Sequence, residues 1–287
     1  MSVWEQAEDD LGTDGERASV ETVLGFDLPE GLSRAHFRDF CVLLLILTLL
    51  VSGYFMTTPL LVFAQAQFFN SNEPCIGRMQ SVDCTAAMAD VSSIQAKTQL
   101  IQSVLSFVLS PVLGRLSDSI GRRAILVISC IPMWFTGIAL WGWAATRGKV
   151  SLYPWYFGQC FPFFISFLAP VYIADICPKS HRAIFFAFQI GIFGITQIWA
   201  SHVAGFFTPP SPVPPNMTTV EIADEFHNDM LGVTTIAMIC QTAGMALVVF
   251  ILPETLPADQ RKPVDLQDRA ELLKAFNTLA QVRKRSF

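Results

Sequence analysis

Six long stretches of the sequence are almost entirely apolar, and polar segments separate them from one another. A helix needs about 20 apolar residues to cross the ~30 Å hydrocarbon core of a bilayer, which is close to the length of each stretch. Strands do not explain such runs, because in lipid an open strand leaves its backbone polar groups unsatisfied. The pattern predicts an all-α membrane protein with six transmembrane helices, at about residues 40–64, 93–114, 124–145, 153–174, 183–207 and 231–252.

The overall composition favours the same class. Hydrophobic residues make up 52% of the chain and charged residues 15%, whereas soluble domains carry about 25% charged residues. The mean hydropathy is +0.45. The sequence contains no recognisable nucleophile–base set, phosphate-binding loop or cluster of metal ligands, so we expect neither an enzyme nor a bound cofactor or metal.

The first 37 residues form an acidic segment. Residues 1–33 contain nine acidic side chains and one basic side chain, so this tail carries a charge of −8 within a total of −5. The tail lacks the basic start and short apolar core of a signal peptide. We therefore predict a disordered cytoplasmic tail at 1–37. Because no basic face exists outside the short loops, we expect no nucleic-acid partner.

The distribution of basic residues predicts the orientation in the membrane. Among the basic residues in the connections or next to the ends of the spans, four lie on one side, and nine lie on the side of the termini: Arg34, Arg38, Arg115, Arg122, Arg123, Lys179, Arg182, Arg261 and Lys262. Basic loops stay in the cytoplasm, so both termini are predicted to be cytoplasmic, in a plasma membrane or an endomembrane. The minority group consists of Arg78, Lys97, Arg147 and Lys149.

Two long polar loops lie on the predicted outer side, at about 65–95 and 208–230. The second contains the sequon Asn216-Met217-Thr218, which is either a glycosylation site or a chance tripeptide. The first contains Cys75 and Cys84, which an oxidising compartment would join in a disulfide. Two unpaired thiols are the alternative.

The segment between the second and third spans combines glycines, an aspartate and paired arginines, and reads Gly114-Arg115-Leu116-Ser117-Asp118-Ser119-Ile120-Gly121-Arg122-Arg123. It resembles the signature loop G-x-L-a-D-r-x-G-r-r of the major facilitator superfamily, which lies between the same two spans. The matching residues, for which the resemblance implies a role in conformational switching, are Gly114, Leu116, Asp118, Gly121, Arg122 and Arg123.

The chemistry of this loop is also clear from its residues. A tight reversal between helices requires glycine where backbones approach or φ is positive. Asp118 would lie near the N-terminus of the third span, where the helix dipole favours an anion. Arg122 and Arg123 satisfy the cytoplasmic charge rule and can pair with Asp118 or with lipid phosphate. A simple topogenic loop is the alternative.

Two further segments resemble the same superfamily. Residues 170–178, followed by Arg182-Ala183, are similar to the Y-I-A-D-I-x-P…R-A segment of drug-antiporter-like and tetracycline-efflux-like members, and sugar porters have a related segment. The resemblance implies that Asp175 and Arg182 join Asp118 and Arg122 in a charge network; otherwise they merely flank the end of a span. Residues 252–257, Leu-Pro-Glu-Thr-Leu-Pro, resemble the P-E-T segment that follows the sixth span.

The resemblance covers roughly residues 38–257 and implies one six-helix half of a fold that the family builds from two such halves. Pro154 occupies the position where many members have an arginine in the fourth span, which argues against proton-coupled drug antiport. Residues 258–287 are predicted to be a cytoplasmic linker with a short amphipathic helix. We expect the chain to be a fragment, a truncated product, or one of two copies that assemble.

Polar side chains within the spans are candidates for lining a cavity, because such residues usually face a bundle interior or cavity. These side chains are equally suited to contact a polar solute and to form hydrogen bonds between helices. His202 is expected near the outer end of the fifth span, snorkelling or hydrogen-bonded. The candidate cavity-lining residues are Gln99, Gln102, Gln159, Gln189, Gln197 and Gln241.

These observations favour secondary active transport of a small solute by alternating access. The expected partners are the solute, a coupling ion, the lipid bilayer and a second six-helix half. The alternative is a non-transporting regulatory membrane protein that pairs with a full-length transporter.

Overall fold

The computed structural model describes residues 22–23, 26–27, 33–70, 75, 81–161, 164–207, 218–257, 259 and 261. These residues form a bundle of α-helices, which confirms the predicted all-α class. The helices are α1 (Arg34–Phe55), α2 (Thr58–Phe69), α3 (Val82–Ile120), α4 (Arg122–Ala145), α5 (Tyr153–Gln159), α6 (Ile165–Ile176), α7 (Arg182–Gly205) and α8 (Thr219–Phe250). Within the predicted tail, β1 (Thr22–Val23) and β2 (Phe26–Asp27) pair antiparallel.

The helices account for the predicted spans in order. Five helical stretches in the described part of the chain are long and apolar enough to cross a membrane: Arg34–Phe69, Val82–Ile120, Arg122–Ala145, Arg182–Gly205 and Glu221–Phe250. The first of these comprises α1 and α2. Pro59 lies in the first turn of α2, where backbone N–H groups make no hydrogen bond within the helix, so proline is tolerated there. The fourth predicted span is divided into the seven-residue helix α5 and the 12-residue apolar helix α6.

Helices extend into both of the long polar segments that were predicted to be outer loops. Helix α3 begins at Val82 rather than near residue 93. At this observed start, the Ser81 hydroxyl accepts a hydrogen bond from the Cys84 amide. Helix α8 begins at Thr219 rather than at residue 231, behind a capping box between Thr218 and Glu221. Caps set the ends of these helices, whereas hydropathy marks only the part of a helix that lipid surrounds.

Helix α1 occupies the centre of the bundle and packs against α7 and α8, while α4 packs along α8. Buried apolar side chains form one cluster toward the α3–α4 turn, around Leu43 and Tyr172, and a second toward the opposite end, around Trp143 and Phe226. Helix α1 begins at Arg34, before the predicted domain boundary at residue 38. The predicted amphipathic helix at 258–287 lies outside the described residues, apart from Asp259 and Arg261.

Candidate functional site

The turn between α3 and α4 consists of a single glycine. Gly121 has φ 120° and ψ 152° and separates the last residue of α3 from the first residue of α4. This region of the backbone map is open essentially to glycine alone. A Cβ atom at Gly121 would also lie 2.8 Å from the Cδ of Glu254. The glycine is therefore required twice, once by its backbone conformation and once by the neighbouring carboxylate.

Gly114, the other glycine of the predicted signature, has a different environment. It lies within α3, and an added Cβ would meet no heavy atom of the described chain within 4 Å. The glycines of this loop were expected where backbones approach closely or where φ is positive. The described residues provide no such approach at Gly114, so the space beside it is open.

Arg122 is the centre of a group of polar side chains from three helices. Its Nη1 is 2.5 Å from the Oδ1 of Asp118 on α3, and its Nε is 2.9 Å from the Oδ2 of Asp175 on α6. Nη1 also donates to the hydroxyl of Ser117, which is buried. The Arg122 side chain is 13% exposed. Charge-assisted bonds of this kind are stronger than neutral ones, and the planar guanidinium fixes their geometry.

The ends of α4 and α8 cap one another. The Glu254 carboxylate accepts from the backbone amides of Arg122 at 2.8 Å and Arg123 at 3.3 Å. In return, the Arg123 guanidinium donates to the carbonyls of Val248, at 3.2 Å, and Val249 in the last turn of α8. An anion thus lies at a helix N-terminus and a cation at a helix C-terminus, which is the arrangement that both helix dipoles favour.

Tyr172 fixes the segment that carries Glu254. Its side chain is fully buried on α6, and its hydroxyl donates to the Pro253 carbonyl at 2.8 Å. Thr255 donates to the Asp175 carboxylate at 3.4 Å. We refer to Asp118, Arg122, Arg123, Asp175 and Glu254 as the charge cluster.

Arg182, which was expected in this network, lies apart from it. Its Nε donates to the Cys177 carbonyl at 3.2 Å, at the end of α6, and none of the ion pairs among the described residues includes it. Burial raises the pKa of the Cys177 thiol to about 11, and the nearby Arg182 partly offsets that effect. The thiol is therefore protonated at neutral pH, which makes it a poor nucleophile.

The six predicted cavity-lining glutamines fall into three environments. Gln159 and Gln241 are buried and share a small cavity between helices. Gln189 is half-buried and lines a larger pocket. Gln102 is half-buried on α3, whereas Gln99 and Gln197 are exposed on α3 and α7.

The larger pocket lies between α1, α4, α6 and α7 and has a volume of about 300 Å³. Its polar side chains are the neutral Tyr54, Ser166 and Gln189. Phe55 and Phe193 meet edge to face with ring centroids 5.8 Å apart. The remaining walls are hydrocarbon or thioether, and no charged side chain among the described residues lines the pocket. The apolar lining residues are Leu47, Val51, Phe55, Met133, Ile165, Ile190 and Phe193.

The structure joins Cys75 and Cys84 in a disulfide, and Asn70 approaches both sulfur atoms. The predicted glycosylation site Asn216 lies outside the described residues. His202 is exposed near the end of α7, with its ring 6.0 Å from that of Phe206. The described residues contain no group of three or more side chains placed to bind a metal.

Sequence reasoning missed the importance of Glu254 and Tyr172. The signal for Glu254 was present, because an acidic residue directly after the sixth span faces the basic side of the membrane. Tyr172 is part of the Y-I-A-D segment, but nothing in the sequence indicates that its hydroxyl would reach a carbonyl 81 residues away.

No protein-family model matches the sequence, and no curated protein matches it. Among solved structures, the crystal structure of the human organic anion transporter MFSD10 (TETRAN) is similar, with a TM-score of 0.53 and 19% sequence identity. The alignment covers 84% of this chain and 54% of that transporter. The chain therefore spans about half the length of the transporter and shares the fold of that part.

Proposed function

We propose that this chain forms one six-helix half of a secondary active transporter, which moves a small solute by alternating access. The observation that carries the proposal is the charge cluster, which connects the ends of α3, α4, α6 and α8 through Arg122, Arg123 and Glu254. The fold shared with half of a transporter supports it.

The charge cluster is suited to act as a latch. Its members lie at the ends of four helices, and each helix can tilt only if specific bonds to the others open. Asp118 is 44% exposed and Asp175 is 28% exposed, so water can replace their bonds to Arg122. Exposed ion pairs contribute only about 0–1 kcal/mol each. Ion pairs of this strength stabilise one arrangement of the helices without preventing the other, as a transition between two packed arrangements requires.

The pocket between α1, α4, α6 and α7 is the proposed contribution of this half to the solute path. Its walls offer aromatic and aliphatic contact, together with the hydrogen-bonding groups of Tyr54 and Gln189. An ion placed there without a partner would lose much of its hydration energy. We therefore propose a solute that is uncharged and largely apolar where it contacts this half.

A second half is the proposed partner, because the described residues of this chain leave polar groups on α3 and α7 uncovered. Gln99 and Gln102 lie on one face of α3 together with Ser106, at helical spacing, and Gln197 is exposed on α7. Glutamine side chains at mid-span usually contact other protein or water rather than lipid. The open space beside Gly114 on α3 would admit a closely packed helix.

The same uncovered face favours one other function, a regulatory chain that pairs with a full-length transporter without transporting on its own. Expression of the chain alone distinguishes the two functions. Uptake by vesicles that contain only this chain supports transport by assembled copies. Altered uptake only when a full-length transporter is co-expressed supports the regulatory function.

Transport is tested with the purified full chain in liposomes, against a panel of neutral, anionic and cationic solutes under proton and sodium gradients. Asp118→Asn should lower uptake and leave membrane insertion intact, because it weakens the ion pair with Arg122. Asp90→Asn is the matched control, since Asp90 is an exposed acid on the same helix. Normal uptake by a correctly inserted Asp118→Asn variant would contradict the latch. The absence of uptake for every solute would contradict transport by this chain.

A further inference from the structure

A small cavity lies within the bundle, apart from the charge cluster and the apolar pocket. Residues of α1, α4, α5 and α8 line it, and its volume is about 10 Å³. Tyr54, Thr136, Gln159, Thr234 and Gln241 are among its lining residues. A space of roughly 10–15 Å³ is the smallest that accommodates one water molecule.

Two buried glutamines that line this cavity have unpaired amide atoms of complementary kind. The Nε2 of Gln159 is a donor without a partner, and the Oε1 of Gln241 is an acceptor without a partner. The residues are 8% and 3% exposed. The Oε1 of Gln159 is 3.5 Å from the Tyr54 hydroxyl. Polar atoms left unpaired in a bundle surrounded by lipid are costly, and nearly all such atoms in folded proteins find a partner.

We propose that one water molecule binds in this cavity and joins Gln159 on α5 to Gln241 on α8. The water accepts from the Gln159 Nε2 and donates to the Gln241 Oε1. Thr136 and Thr234 donate their hydroxyl hydrogens to the carbonyls of Met133, at 2.6 Å, and Met230, at 2.7 Å. Their oxygen atoms keep lone pairs for the second hydrogen of the water, which reaches the usual number of about three bonds.

The chemistry of the walls favours water over a cation. The described residues place no carboxylate in the cavity wall, and the amide N–H of Gln159 would repel a positive ion. Water can accept a bond on one side and donate on the other, as the two amides require.

Two glycines allow Gln241 to reach the cavity. A Cβ at Gly53 on α1 would lie 2.6 Å from the Cγ of Gln241 and 2.6 Å from the Ala237 carbonyl oxygen. A Cβ at Gly137 on α4 would lie 2.7 Å from the Met238 sulfur and 3.2 Å from the Gln241 Cδ. The Gln241 side chain therefore occupies space that is open only because residues 53 and 137 are glycines. The water connects Gln241 to α5, which is the short first half of the divided fourth span.

The bridge is tested by a double-mutant cycle with the full chain in detergent micelles. Gln159→Leu and Gln241→Leu should each lower the apparent melting temperature by leaving the other amide unpaired. The double variant should lose less than the sum of the two single losses, because no unpaired amide remains. Gln197→Leu, at an exposed position on α7, is the control and should change little. Strictly additive losses would overturn the proposal.

Two measurements on the unmodified chain distinguish a bound water from a bound cation or an empty cavity, and they remain valid if a variant fails to fold. An experimental density map that resolves other ordered waters should show a peak within hydrogen-bonding distance of both amides; an empty cavity in such a map would overturn the proposal. The melting temperature should be equal in sodium chloride and choline chloride. A melting temperature that is higher in sodium chloride than in choline chloride would indicate a bound cation instead of water and would overturn the proposal.

Discussion

The carboxylate of Glu254, four residues beyond the end of α8, accepts a hydrogen bond from the first backbone amide of α4 at Arg122, at 2.8 Å. Arg122 itself uses its guanidinium for Asp118 and Asp175. One residue thus connects the α8 extension through its backbone and two other helices through its side chain. The Glu254 bond and the Arg123 bonds to Val248 and Val249 together connect the start of α4 to the end of α8.

Replacing Glu254 by alanine should destabilise the chain. The substitution leaves the first amides of α4 without their anionic partner, and the loss of a cap of this kind costs about 1–2 kcal/mol. Thermal unfolding in detergent measures the effect.

Glu254→Gln should recover part of this loss, because the amide oxygen still accepts a bond but carries no charge. Asp259→Ala is the control, since Asp259 is an exposed acid five residues further along. Equal losses for Asp259→Ala and Glu254→Ala would contradict the specific role of Glu254.

The two glycines of the signature should respond oppositely to alanine. Gly121→Ala places a side chain where φ is 120° and close to Glu254, and a residue held in such a conformation costs about 1–3 kcal/mol. Gly114→Ala lies in a helix next to open space, where alanine favours helix formation by up to about 1 kcal/mol.

Melting temperatures of the two glycine variants, purified in parallel, check this prediction. A loss of uptake by a stable Gly114→Ala protein would show that another helix occupies the space beside it. A Gly121→Ala variant as stable as the unmodified chain would contradict the strained turn.

The disulfide should protect two of the seven cysteines from alkylation. After denaturation without reductant, iodoacetamide should modify the five free cysteines, and all seven after reduction. Intact mass measures the difference. In a Cys75→Ser variant every remaining cysteine should react without reductant. Full modification of the unreduced, unmodified chain would contradict the bridge.

The α3–α4 turn should lie on the opposite side of the membrane from the α4–α5 connection. In a background with the five free cysteines replaced, Ser119→Cys should react with a membrane-impermeant maleimide only after cells are permeabilised. When the chain is at the cell surface, Lys149→Cys should react in intact cells, because it lies on the predicted outer side. Labelling of Ser119→Cys in intact cells would show that the orientation is the reverse of the predicted one.

The sequence by itself determined the class of the protein and the position of its key turn. Apolar runs of transmembrane length leave helices as the available structure, because lipid cannot satisfy backbone polar groups. Gly121, Asp118 and Arg122 belong to one short segment, so local pattern was sufficient to place a helix reversal within it. The predicted spans ended at 114 and began at 124, whereas α3 continues to Ile120, so Asp118 lies in the last turn of α3 rather than near the start of α4.

Only the tertiary structure decided which distant residues meet. Asp175 is 53 residues from Arg122, and Glu254 is 132 residues away, so no local pattern could pair them. The true starts of α3 and α8 depended on caps at Ser81 and Thr218 within polar segments that hydropathy assigns to loops. Gln159 and Gln241 were indistinguishable from the exposed Gln99 in the sequence, because burial of a polar side chain depends on which helix packs against it.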